Sequence, residues 1–287
     1  MNRDPLRAFL LLAPALLVLG ALFLGSLVPS LLQSFGYFPA AGLREPTLRF
    51  FREVFSSPEF LPSLLFSLRV SFVSSALTVF LGTILALLLD ETGKGERIEA
   101  LLSSIPIIVP HTVAALLVLN LLSRTGILAR ILFSLGWVAS PAEMTGLVFD
   151  RRGVGIIAAY LWKGIPFVAV VVYVVLRNMD GRLRETALVL GASRMQALRH
   201  VVLPLLFPTL SSTFVLLFGF SFGAFEAPFL LGPTFPRALP TAAYSAYLNP
   251  DIASRPYSMV LIAIITAIAV SLVYLYSFLS ARKEERL

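Results

Sequence analysis

The run Gly219-Phe-Ser221-Phe-Gly223 has the spacing of a hydrolase nucleophile motif. In that chemistry the serine is exposed on a strained strand-to-helix turn, and a histidine later in the chain takes its proton. Here Ser221 lies inside an apolar helical run, and the two histidines, His111 and His200, both precede it. Glycines four residues apart in such a run let two helices approach closely, so Gly219 and Gly223 read as a packing face of the kind found at subunit interfaces. The chain has no cysteine, which excludes disulfides, thiolate metal sites and thiol nucleophiles, and two histidines do not make a usual zinc site. Gly93-Lys94 is the one Gly-Lys pair, but Leu88 stands where a phosphate-cradling loop needs its first glycine. The sequence therefore reads as a chain that is not an enzyme, with no cofactor and no metal of its own.

Three ionisable residues remain, each set inside a long apolar run: Arg69, Lys163 and Glu226. Charge within a membrane span is costly unless it is paired or faces water, which makes each a candidate for a translocation path or gate. Arg69 and Glu226 fall at matching depths, each about five residues from the outer end of its run. That match allows an ion pair, a direct contact of Glu226 with solute, or simple snorkelling of either side chain. Lys163 lies nearer mid-membrane beside Gly164 and Pro166, where a break would free backbone carbonyls and open a water-lined path, or where the helix is merely kinked. Asn120 and His111 are weaker candidates, because a lone polar group is usually satisfied by a neighbouring helix.

The elements that must position these residues are set by composition. With 57% hydrophobic and 14% charged residues over 287 positions and a mean hydropathy of +0.87, the chain departs from soluble, disordered and secreted disulfide-rich classes. Apolar runs long enough to cross a bilayer occur at about 8–32, 64–89, 101–122, 154–176, 205–231 and 257–279. The first is too long for a signal-peptide core and is kept as a span. The fold expectation is therefore an all-α integral membrane protein of six transmembrane helices, one domain over 1–287.

The net charge of +7 does not signal nucleic acid, because the basic residues are scattered through short connectors. With both termini inside, the inner segments hold twelve Lys and Arg in 51 residues and the outer ones nine in 85, so both termini are expected to be cytoplasmic. In the first outer connector, Phe50, Phe51, Val54 and Phe55 oppose Arg49, Arg52 and Glu53. This is either an interfacial helix or a loop whose aromatics cap the bundle.

The longest inner connector, residues 177–204, is built as a helical hairpin. Asp180 is placed to cap a first helix carrying Leu183, Ala187 and Leu190 at i, i+4 and i+7, and Gly191 supplies its stop. Ser193 followed by Gln196 spells a capping box for a second helix, and Pro204 marks where the fifth span begins. Such a hairpin suits docking into a groove on a cytoplasmic partner.

This loop resembles that of the membrane subunits of ABC importers, whose signature runs E-A-A, three residues, Gly, then twelve residues to a Leu-Pro pair. Glu185, Ala187, Gly191, Leu203 and Pro204 fit, and Thr186 replaces the usual Ala. The Phe-rich connector, the turn at Gly126, Pro166 and the Pro228–Gly232 run are similar to the spermidine/putrescine-type branch of type I importers. Ala224 stands where members of that branch often carry an acidic residue, and Glu226, about 200° further round a helix, does not replace it.

The resemblance implies an ATPase-coupling surface of Glu185, Thr186, Ala187, Gly191, Ala192, Ser193, Leu203 and Pro204. It also implies several partners: ABC ATPase subunits holding ATP and Mg, a second permease subunit of the same or a different chain, and an extracytoplasmic solute-binding protein. The setting implied is multi-pass residence in the lipid bilayer of the cell (inner) membrane. The solute implied is small and polar, of polyamine type by branch, with iron, thiamine, phosphonate and sugar carried by related branches. An ion-coupled secondary transporter is the alternative, and it leaves the hairpin without a purpose.

Overall fold

The structure is a computed structural model that describes residues 5–92, 109–140, 146–179 and 181–284. Its helices are α1 (Pro5–Ser34), α2 (Arg49–Ser56), α3 (Phe60–Thr92), α4 (His111–Leu122), α5 (Ile127–Ser134), α6 (Val154–Asn178) and α7 (Gly181–Val189). They continue with α8 (Arg194–Gly223), α9 (Glu226–Leu231), α10 (Leu239–Tyr247) and α11 (Arg255–Glu284). Among the described residues there is no strand, only an isolated bridge between Phe38 and Leu43. Among the described residues, six helical stretches are long and apolar enough to cross a bilayer: Phe9–Ser34, Phe60–Glu91, His111–Ser134, Val154–Asn178, Arg194–Gly223 and Ile252–Phe278. A backbone in hydrocarbon must satisfy its polar groups internally, and these leucine-, alanine- and valine-rich runs do so as helices.

Prolines decide where the expected spans shift. The third span was expected over 101–122, of which 101–108 lies outside the described residues. Its helix starts at His111, after Pro110 in an extended conformation, and the path turns at Ser123–Gly126 into α5. The fifth span, expected to run unbroken over 205–231, ends at Gly223. A proline ring collides with the carbonyl four residues back, which for Pro228 is Ala224, and Ala224 accordingly leaves the helix at ψ 139. Pro228 then sits in the first turn of α9, where its missing N–H costs nothing. Pro204 does not bound a span either: a π-helical turn at Leu198–Val202, closed by Leu203 N–H donating to Leu198 O, carries α8 straight past it.

Tertiary contacts divide the chain into two compact units. One comprises Met1–Leu61 with Ala242–Thr266. In it the Phe-rich connector forms a helix, α2, with Phe50 and Val54 buried; Phe50 meets the Tyr257 ring edge-on at 5.0 Å. Glu53 accepts hydrogen bonds from the Tyr257 hydroxyl and from Arg49, which hold its carboxyl below the usual carboxylate range. Ser258, fully buried, donates to Ala243 O at 2.7 Å. Most described side chains of the α1 span are exposed in this chain, with Ser34 at its end fully buried.

The second unit, Pro62–Thr241 with Ala267–Leu287, contains the hairpin and two apolar clusters. One joins Phe66 and Val70 of α3 to Ile156, Ala159, Ala227 and Leu231; the other joins Ala86 and Leu89 to Val168, Val172, Val202 and Leu206. Between them α3 and α6 touch almost backbone to backbone. A Cβ on Gly82 would lie 2.6 Å from Val168 Cβ, and one on Gly164 would lie 2.5 Å from Thr78 Cγ2. A Cβ added at Gly219 or Gly223, expected as a packing face, would meet nothing within 4 Å among the described residues. Gly82→Val is therefore expected to cost about 1–3 kcal/mol through overpacking. Gly219→Val should leave the thermal midpoint of the detergent-solubilised chain unchanged, and thermal unfolding of the two variants side by side checks this.

Candidate functional site

The close α3–α6 contact sets the wall of a cavity of about 270 Å³. Ser75 and Thr78 line it from α3, His111 from the start of α4, Tyr160, Lys163, Gly164 and Phe167 from α6, and Leu216, Leu217, Phe220 and Ser221 from α8. Lys163 is half-buried, and its ammonium donates to Val109 O at 2.7 Å and lies 3.4 Å from His111 Nδ1. An ammonium only donates, so His111 Nδ1 accepts and the ring proton sits on Nε2. The free carbonyl that Lys163 uses comes from Val109, ahead of Pro110, while α6 itself runs unbroken through Pro166. The His111 ring also lies 4.9 Å from that of Phe220, and the Tyr160 hydroxyl donates to Ser221 O at 3.4 Å.

Of the three intramembrane charges, the structure brings only Lys163 into this cavity. Arg69 donates from Nη2 to Arg151 O at 2.5 Å and lies over the Phe66 ring, 5.6 Å from its centroid. That carbonyl is presented by a turn in which Asp150 accepts from the Arg152 and Val154 N–H groups, each at 2.9 Å, capping α6. Glu226 makes no ion pair with Arg69. The break at Ala224 turns it away from the line of α8 and into the first turn of α9. Asn120 is satisfied within its own helix by Leu116 O at 2.9 Å. Sequence reasoning missed Ser75, Thr78 and Tyr160. The available signal was the spacing of Ser71, Ser75 and Thr78 along one face of an otherwise apolar span.

The hairpin forms as its sequence spells it. Asp180, its expected first cap, lies outside the described residues. Gly191 adopts φ +91, and Ala192 N–H donates to Ala187 O and Gly191 N–H to Leu188 O, both at 3.0 Å, the paired bonds of a Schellman stop. The capping box is complete, with Ser193 N–H donating to Gln196 Oε1 at 2.8 Å and Gln196 N–H to Ser193 Oγ at 3.3 Å. Glu185, Thr186, Gly191, Ser193 and Pro204 are exposed, while Ala187, Ala192 and Leu203 are half-buried. Val189 and Leu190 at the tip are 86% and 81% exposed, and Met195 and Leu183 are exposed beside them. At the base, Arg184 reaches α3, with Nη1 3.2 Å from Asp90 and Nη2 3.8 Å from Glu91.

Residues 49–285 match the family of binding-protein-dependent transport system inner membrane components. The chain belongs to that family. It is 27% identical over 194 residues to a probable molybdenum ABC transporter permease of Haloferax volcanii, covering 67% of this chain and 66% of that one. It is 32% identical over 113 residues to the spermidine/putrescine transport system permease PotC of Escherichia coli, covering 38% and 42%. The matches thus span less than two thirds of these relatives' lengths. In fold it is similar to a chain of a bacterial ABC transporter involved in the import of the acidic polysaccharide alginate. That likeness has TM-score 0.76, 22% identity and 96% of each chain covered.

In this family member Arg184 forms an ionic tie between hairpin and bundle. Partly exposed ion pairs contribute little stability, about 0–1 kcal/mol, so Arg184→Glu is expected to leave the thermal midpoint nearly unchanged. It should speed trypsin cleavage at Arg194 and Arg199 as the hairpin loosens, and Asp90→Arg on the same background should slow cleavage again.

Proposed function

We propose that the chain is the membrane-spanning permease subunit of an ATP-driven, binding-protein-dependent importer, moving a small polar solute through the cavity between α3, α4, α6 and α8. The observation that carries this reading is the hairpin of α7 and the start of α8. Two local motifs, a Schellman stop and a capping box, fix its shape, and its tip leaves Val189, Leu190 and Met195 without apolar cover. A rigid knob with an apolar tip and a charged base is suited to a groove on a partner.

In this reading the partner is an ATPase subunit that holds ATP and Mg, and this chain carries neither. Closure of that subunit on ATP moves the knob, and the continuous helix α8 passes the movement to the cavity wall at Leu216, Leu217 and Phe220. A second permease subunit, the same chain or another, completes the path, and the open Gly219–Gly223 face and the outward-facing α1 give it surface to meet. An extracytoplasmic solute-binding protein delivers the solute. The higher density of Lys and Arg in the inner segments than in the outer ones supports cytoplasmic termini in an inner membrane. Relatives named for molybdenum and for spermidine and putrescine support the transporter reading without selecting the solute.

Purification of the tagged full chain from its own membranes under mild solubilisation is expected to bring down an ATPase. Glu185→Lys reverses charge on the exposed face of α7, and Gly191→Val forces a β-branched residue into the left-handed region at a cost of about 1–2 kcal/mol. Both variants should insert normally and lose most of the ATPase. Full ATPase retention and transport in both would remove the hairpin from the mechanism, and uptake that collapses with an uncoupler at constant ATP would replace it with ion coupling.

A further inference from the structure

The chemistry of the cavity lining is one-sided. Lys163 brings a positive charge, and of its three N–H groups one is held by Val109 O and one approaches His111 Nδ1. The third has no partner among the described residues. Ser75, 1% exposed, lines the same cavity, and its hydroxyl oxygen is buried with no hydrogen-bond partner among the described residues. A buried hydroxyl without a partner is a standing cost that a bound group removes. Thr78, one helical turn on, lines the cavity from the same helix. No carboxylate is among the described lining residues, and Glu226 is not one of them. A cation placed here meets the Lys163 ammonium, with no carboxylate among the described lining residues to accept it. An anion meets an ammonium N–H and hydroxyl donors in a water-poor wall, where charge-assisted hydrogen bonds are strongest. The volume of about 270 Å³ lies at the lower end of small-molecule sites, which sets the size class.

We propose that this cavity is a binding subsite for a small oxyanion, held by the Lys163 ammonium and the Ser75 hydroxyl with Thr78 beside them. The proposal rests on the permease reading and gives it a solute class, one opposite in charge to a polyamine. The side opposite the donors is apolar, built by Phe167, Leu216 and Phe220, and it offers the solute no second charge. Such a subsite favours entry of an anion without trapping it, since a single ammonium is the whole of its charged contact.

The test uses the purified full chain in nanodiscs and equilibrium dialysis with radiolabelled sulfate, phosphate and molybdate, with spermidine as the cationic comparator. At least one oxyanion is expected to bind saturably and to be displaced by the other oxyanions but not by spermidine. Lys163→Met should weaken that binding tenfold or more, Lys163→Arg should keep it within a few-fold, and Ser75→Ala should weaken it several-fold. Arg69→Gln, whose partner is a backbone carbonyl away from the cavity, should leave it unchanged. Ser75→Ala removes one oxygen and adds no bulk, so it reads the site even where a lysine variant misfolds. Absence of saturable oxyanion binding, equal binding by wild type and Lys163→Met, or saturable spermidine binding strengthened by Lys163→Met would each overturn the proposal. ATPase co-purification, measured on the same preparations, reports separately on the importer reading: its survival beside failed anion binding discards only the solute class, and its loss beside intact anion binding discards only the coupling.

Discussion

Every feature of the candidate path hangs on how closely α3 and α6 approach. Lipid tails are as apolar as leucine side chains, so helices in a bilayer gain little by hiding apolar surface from one another and associate through close packing instead. Gly153 against Val70, Gly164 against Thr78 and Gly82 against Val168 supply that packing at three successive levels, each with no room for a Cβ. The middle level places Thr78 against the residue beside Lys163, and Ser75 lines the same cavity. A methyl group at Gly164 would collide with Thr78, itself a lining residue, so packing and site lining share one contact.

Around this seam, prolines divide the helices into working parts. Pro110 leaves the Val109 carbonyl outside the helix for Lys163 to take, which tethers the start of α4 to α6. Pro228 ends the fifth span early and sets α9 against α4 and α6, where Ala227 and Leu231 join the apolar cluster. The π turn before Pro204 has the opposite effect, keeping the hairpin and the cavity-lining part of α8 on one continuous helix.

What was legible in the sequence follows from how local each feature is. The hairpin was readable because a Schellman glycine and a capping box are complete within a few residues, and Gly191, Ser193 and Gln196 act as their types dictate. Four of the six spans were readable from apolar length alone. The Arg69–Glu226 pairing failed because depth was counted along a helix assumed continuous, and one proline four residues beyond Ala224 broke it. Ser75 and Thr78 were passed over because hydroxyls in an apolar span read as packing groups. Their role depends on what α6 and α8 place opposite them, which no local pattern contains.

The central claim is that Ser75 faces a cavity whose electrostatics are set by Lys163. The chain has no cysteine, so a single Ser75→Cys substitution can be followed cleanly with a small, negatively charged methanethiosulfonate reagent in nanodiscs. Ser74→Cys serves as the reference, since Ser74 is equally buried but lies outside the cavity and bonds Ser71 O at 3.1 Å. The account predicts modification at position 75, slowed by Lys163→Met, and none at position 74. Equal reactivity at the two positions, or a rate at 75 indifferent to Lys163, would contradict it.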